Sequence, residues 1–328
     1  MNLLRAELSR LAARRFVQLM VVLLIGAFGI TIATTLTSSH QPSANEIAVA
    51  DDRAAQQRRD QQPSYERCLT DQRFSPRSQP LQDCEAMNPE RIDGEDFLYG
   101  VFVFEREIRP LMYFLVAFLA LFGFLVGASY VGADLNSGGM TNLLLWRPTR
   151  MTVLGTKLGA LLGAMLFGSV VASALYLSAF WTIAQTTGLP GDLDGNFWRW
   201  MGLTSGRGLT LILGVTALGF AIATLGRHTA AALGAVAAYA IVWEVGARIV
   251  LDIVEARRPE LWMMSTYVGA WMSGDIQLWD RHACSGTGFG YCDGEYTLTW
   301  VHGAAVLGAL FVGFAVGAFA NFRRRDLA

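Results

Sequence analysis

The chain of 328 residues carries a single lysine, Lys157, among its 26 basic residues. A phosphate-binding Walker A loop needs Gly-x-x-x-x-Gly-Lys-Ser/Thr, with the lysine reaching the β/γ-phosphates. Lys157 stands between Thr156 and Leu158, so that loop is not encoded, and any ATP that drives this protein is hydrolysed by another chain. Charge is scarce as well, at 16% of residues against roughly a quarter in soluble domains. The charges cluster and leave long bare apolar runs, which excludes one large water-soluble core. Histidine is limited to His40, His228, His282 and His302. None forms HExxH or has a Cys or carboxylate at ligand spacing, which argues against a metal site. No Gly-x-Ser-x-Gly elbow occurs, and Asp71, Asp83 and Glu85 read as solvated charge, so no enzyme activity is expected of this chain. The lack of an internal repeat disfavours an inverted-repeat transporter. No nucleic-acid partner is expected.

What is abundant is hydrocarbon: 53% hydrophobic residues and a mean hydropathy of +0.35. Apolar runs at 16–37, 110–133, 152–186, 208–225, 229–252 and 299–322 are each long enough for a crossing of about 20 residues. The third is overlong and must tilt or extend beyond the bilayer. The first exceeds a signal-peptide core, and no small-x-small site follows near Ser38, so it reads as a retained helix. Arginines 5, 10, 14 and 15, then Arg147, Arg150 and Lys157, then Arg227, then Arg323 to Arg325 all fall on one side of a six-span chain. The positive-inside rule makes that side, and both termini, cytoplasmic. Lysine-poor, Ala- and Gly-rich composition suggests a high-GC bacterial genome, and hence the bacterial plasma (inner) membrane. The expected fold is an all-α polytopic membrane protein with six transmembrane helices, an N-terminal interfacial helix and disulfide-stapled external loops.

Cysteine falls only in the expected external loops: Cys68 and Cys84 in the first, Cys284 and Cys292 in the last. Two local disulfides are the economical reading, because short loops close easily on the oxidising side. Free thiols or pairing between the loops remain open. Residues 1–15 alternate leucines with arginines at helical spacing, giving a helix suited to the headgroup interface. The loop 38–109 holds a turn-like start, a polar helix candidate at 46–62, an irregular 63–89 with four prolines, and a second helix candidate at 95–109. It is either a cap over an exit or a solvated decoration. In the loop 187–207, Phe197, Trp198 and Trp200 suit an interfacial aromatic belt. In the region 253–298, the apolar stretch 261–274 is too short to span and fits a re-entrant or interfacial half-helix. Glu244, Arg248 and Asp252 share one face of span five by i, i+4, i+8 spacing. They read as a polar lining or coupling ion pair, or as a structural Glu244–Arg248 pair near the outer headgroups.

The run between spans two and three, 134–151, is more elaborate than a turn. An acidic Asp134 is followed by a Gly pair, a Leu-rich half-helix, the break Arg147-Pro148-Thr149-Arg150, and then Lys157 at the headgroups of span three. Proline ends the half-helix because it disfavours a helical residue before it. The run resembles the cytoplasmic coupling loop of type-2 ABC exporter permeases. The motif residues would be Asp134, Gly139, Thr141, Leu143, Leu144, Leu145, Pro148, Arg150 and Lys157. The family more often has Glu at the first position and an adjacent Gly-Thr pair, whereas Met140 intervenes here. The tail from Phe322 to Asp326 is similar to the Phe-x-Arg-Arg-Asp ending of these permeases, although a stop-transfer cluster explains the arginines equally. The resemblance implies an elbow helix at 1–15, a coupling helix whose contacts include Arg147, and an external re-entrant helix before span six. It also implies a second permease subunit, identical or related, and a partner P-loop ATPase holding ATP and Mg. This chain would hold no cofactor. A membrane sensor or scaffold with a stapled external binding loop is the alternative.

Overall fold

The computed structural model describes residues 2–74, 84–85, 87–137, 149–280 and 294–324. Among them are six helices long and apolar enough to cross a membrane: α2 (Arg15–Ser38), α4 (Phe104–Asn136), α5 (Arg150–Thr187), α6 (Gly195–Gly226), α7 (Thr229–Ile253) and α9 (Trp300–Arg324). They follow an amphipathic α1 (Asn2–Ala12) and are joined by α3 (Ala44–Phe74) and a short α8 (Met264–Ser273). The fold is therefore almost wholly helical. In lipid each backbone N–H and C=O must be satisfied within its own segment. Hydroxyls in the apolar stretch of α2 obey the same rule, Thr31, Thr34, Thr35 and Thr37 each donating to the carbonyl four residues back.

The core is the pairing of α4 with α6. Glycines make it close: a Cβ on Gly127 would lie 2.5 Å from the Thr216 carbonyl oxygen, and one on Gly219 would lie 2.5 Å from that of Phe124. Gly123 and Gly127 are one turn apart, the small-xxx-small spacing that lets membrane helices touch backbone to backbone. Helices α5 and α9 pack around this pair. In contrast α2 buries only Phe28, and the first part of α7 buries only Ala232, so these two spans lie at the periphery. Helices α6 and α7 are joined by a tight turn. There Arg227 takes a left-handed conformation (φ 56°), and the His228 ring accepts from the Ala230 N–H at 3.3 Å.

The end of the bundle opposite the termini differs from the sequence expectation at several points. Helix α3 runs from Ala44 straight through Pro63 to Phe74, where 63–89 was expected to be irregular. The helix is held along one side: Ala50 and Ala54 are buried, and Arg58 and Gln61, within about a turn of the proline, donate to the Ile92 and Met87 carbonyls. The start of α3 is a capping box: the Ser43 hydroxyl accepts from Glu46 N–H at 3.3 Å, and the Glu46 carboxylate accepts from Ser43 N–H at 2.7 Å. Of the helix expected at 95–109, the part from Phe104 onward is helical and runs into α4, while a 3-10 turn (Gly94–Phe97) and a short strand β1 (Phe102–Val103) precede it. That strand pairs in parallel with β2 (Gly188–Leu189), tying the start of α4 to the end of α5. Helix α6 begins at Gly195 rather than 208, capped by Asp194, which accepts from Phe197 N–H at 2.7 Å. The aromatic cluster is therefore helical. Phe197 is buried and Trp200 lies under the Arg109 guanidinium at 4.7 Å, while Trp198 stays exposed. Helix α8 leads into an antiparallel hairpin, β3 (Asp275–Trp279) with β4 (Glu295–Thr299). Asp280, just beyond β3 at the far end of the pair from α8 and α9, accepts from both Arg257 and Arg258 at 2.9 Å.

Candidate functional site

Five side chains meet where α1, the end of α4 and the start of α5 converge, at the end of the bundle that carries both termini. Helix α1 lays Leu11 and Glu7 against the bundle, and the Glu7 side chain is only 2% exposed. Lys157, on the second turn of α5, is 1% exposed and bridges two carboxylates: Glu7 at 2.9 Å and Asp134 of α4 at 2.7 Å. Arg14, in the extended link between α1 and α2, donates to the second Asp134 oxygen at 2.5 Å and to the Ser129 carbonyl at 3.1 Å. The buried Tyr130 hydroxyl donates to Glu7. Its ring lies under both cations, 4.9 Å from Arg14 and 4.8 Å from Lys157. Two cations therefore face two anions, and the group is neutral as a whole. Such satisfaction is the condition under which charges tolerate burial. Arg10 adds a rim contact to Glu7 at 3.4 Å.

This network fixes both roots of the run 134–151. Asp134 lies in the last turn of α4, Lys157 lies two turns into α5, and α1 is clamped across them through Glu7. Arg150 is the first residue of α5. Gly139, Thr141, Leu143, Leu144, Leu145, Arg147 and Pro148 lie outside the described residues. Lys157 does not reach the headgroups as expected from sequence, because two carboxylates hold it inside. Glu7 was missed. The signal for it was its position between Leu3, Leu4, Leu8 and Leu11, where an acid interrupts the apolar stripe of α1.

The intramembrane acid of span five is also placed differently. The segment Tyr239–Ala247 is a π-helix, whose wider turn aligns residues five apart. Glu244 accepts from the Tyr239 hydroxyl at 2.8 Å, five residues back, and from the Ser265 N–H at 3.1 Å and hydroxyl at 2.9 Å. Tyr239 Oη in turn accepts from Met264 N–H at 3.3 Å. The anticipated pair with Arg248 is not what holds Glu244. Its carboxylate satisfies the otherwise unpaired N–H groups at the start of α8. Arg248 opens the α-helical turn that follows the π-segment.

Cys68 and Cys84 form a disulfide, while Cys284 and Cys292 lie outside the described residues. Beside α3 a recess is lined by Asp51, Arg58, Asp93, Glu95 and Glu105. Desolvation there, with Glu105 and Asp93 adding repulsion, pushes the Glu95 carboxyl above its ordinary range. Among the described residues no group of His, Cys, Asp and Glu is placed to hold a metal ion. The chain matches no protein-family model, no curated protein and no solved structure. Fold and site together define a polytopic, largely helical membrane protein with six apolar helices long enough to span a membrane.

Proposed function

We propose that this chain is the membrane-spanning permease subunit of an ATP-driven exporter of the type-2 ABC class, with both termini cytoplasmic. The observation that carries the reading is the Glu7–Lys157–Asp134–Arg14 network, with Glu7 and Lys157 buried at its centre. It locks an N-terminal helix to both roots of the run 134–151, which by resemblance docks on a separate ATPase. A push on that run would reach α1, α4 and α5 as one unit, because pulling the cluster apart would leave buried charge without its partner. The apolar faces of α2 and α7, left almost unburied, suit a second permease subunit beside α4. α1 then acts as the elbow helix in the interface, and α3 with its disulfide forms an external cap. ATP and Mg belong to the partner ATPase.

Affinity purification of the tagged protein from its native membrane tests this. Near-stoichiometric recovery of a P-loop ATPase is the expected result. Alanine at Leu143 or Leu144, or Arg147→Glu, should then uncouple ATP hydrolysis from transport. The long helix stapled by Cys68–Cys84 favours a second reading, a sensor or scaffold with an external binding module. Recovery of an external ligand without any ATPase would select it.

A further inference from the structure

We infer that the groove between the start of α5 and the end of α9 is a binding site for an anionic phospholipid. The groove encloses about 680 Å³, with Met151, Val316, Phe319 and Ala320 as apolar walls and Arg323 and Arg324 at its mouth. That volume lies within the range of sites that hold small molecules. Helix α9 packs mainly on α6 and α8 and less on α5.

Two observations select the occupant. The first is charge. Arg323 and Arg324 are adjacent and exposed in the last turn of α9, and among the described residues neither meets a carboxylate. The second is the arrangement of the walls. Val316 lies seven residues before Arg323, about 11 Å back along the helix at 1.5 Å per residue. Two guanidiniums at headgroup level therefore stand over an apolar trough that runs toward the membrane interior. A phosphodiester fits the planar donor fork of arginine, and an acyl chain covers Val316, Phe319 and Ala320. An acidic protein surface would satisfy the arginines and leave that trough uncovered. Basic pockets between helices at the cytoplasmic face are suited to anionic headgroups for this reason. Met151 is the second residue of α5, so a bound lipid would brace the helix that carries Lys157. The inference requires only that α5 and α9 cross the membrane, and it stands or falls apart from the exporter reading.

The test is native mass spectrometry of the detergent-purified full-length protein titrated with phosphatidylglycerol or phosphatidylcholine. Phosphatidylglycerol should be retained in preference. The Arg323→Gln/Arg324→Gln variant should weaken its retention about thirtyfold, the equivalent of about 1 kcal/mol per arginine at about 1.4 kcal/mol per factor of ten. Lysine at both positions keeps the charge without the planar fork and should restore only part of it, and a thermal melt of the double Gln variant matching the wild type shows that its fold survives. Ala320→Trp fills the trough with both arginines intact and should cause a comparable loss. Equal retention of the two lipids overturns the site, as does unchanged phosphatidylglycerol binding in the double Gln variant. Wild-type retention by Ala320→Trp would reduce the effect to general surface attraction and also overturn it. Should that variant fail to fold, a phosphatidylglycerol with a photoreactive acyl chain must label Met151 or Phe319 in the wild type, and labelling only elsewhere defeats the proposal. Loss of ATPase binding with unchanged lipid retention in the double Gln variant would assign the arginines to a protein partner instead.

Discussion

Replacing Lys157 by Met removes the one cation that touches both carboxylates, the buried Glu7 and the half-buried Asp134. Its Nζ lies 2.9 Å from Glu7 and 2.7 Å from Asp134. At an effective dielectric near 20 each contact amounts to about 6 kcal/mol of gross attraction. Desolvation of the ammonium offsets several kcal/mol of that sum. The larger effect of the substitution is on what remains. Asp134 keeps Arg14, but Glu7 keeps only the Tyr130 hydroxyl and a 3.4 Å contact from Arg10, whose side chain is 57% exposed. A buried carboxylate stripped of its partner typically costs about 3–5 kcal/mol, and that is the destabilisation expected for Lys157→Met. Adding Glu7→Leu removes the stranded charge. The double variant should therefore be more stable than the sum of the single losses predicts, by at least about 1 kcal/mol of coupling. Equilibrium unfolding of the four proteins of this cycle in one lipid nanodisc composition gives the numbers. A single-variant loss below about 1 kcal/mol, or strict additivity, would refute a buried, mutually dependent network. If the exporter reading holds, Lys157→Met should also lower transport per ATP hydrolysed.

Other perturbations probe separate parts of the fold. Gly127→Ala places a methyl group against the Thr216 carbonyl at 2.5 Å. Backbone on both sides leaves it nowhere to move, so a loss of about 1–3 kcal/mol is expected in a thermal melt, whereas Gly159→Ala, which meets nothing within 4 Å, should be near neutral. The Glu46 carboxyl is held down from 4.5 to about 2, first by the Ser43 N–H, then by the Ser43 hydroxyl and His40. A lowered acid favours the folded state above its unfolded value, so this contribution is complete above pH 4.5 and is lost as pH falls toward about 2. Protection factors of the amides at the start of α3, corrected for the intrinsic exchange rate, should fall across that window in the wild type and not in Glu46→Gln. Cys68 and Cys84 close a loop with a separation of 16 residues. Reduction should destabilise the α3 region by roughly 3 kcal/mol, read as faster proteolysis after Phe74 with the spanning helices intact.

Local features of the sequence were enough to find the six apolar helices, because a crossing needs only length and hydropathy and the bilayer supplies the rest. The pairing of Cys68 with Cys84 was legible for a similar reason, since close cysteines close a small loop. The missing Walker A lysine likewise followed from one position, as Lys157 lacks the glycines that would make it a phosphate ligand. Elements whose form depends on distant partners were not legible. Helix α3 passes through Pro63 because the helix is docked from beneath, and 95–109 is broken because Phe102–Val103 pairs with Gly188–Leu189 some 86 residues away.

The same division runs through the site. The sequence by itself marked Asp134 as an acid closing span two, Lys157 as a lone cation in span three, and Glu244 as an acid in span five. It did so because an ionisable group in an apolar run stands out without any knowledge of the fold. Their partners were a matter of tertiary structure. Glu7 reaches Lys157 across 150 positions only because α1 folds back under α4 and α5. Glu244 turns from Arg248 to Ser265 because a π-segment changes which residues share a face, and because the start of α8 presents N–H groups that lipid cannot satisfy. Hydropathy is set residue by residue along the chain, whereas the compensation of a buried charge depends on which helices the packing brings together.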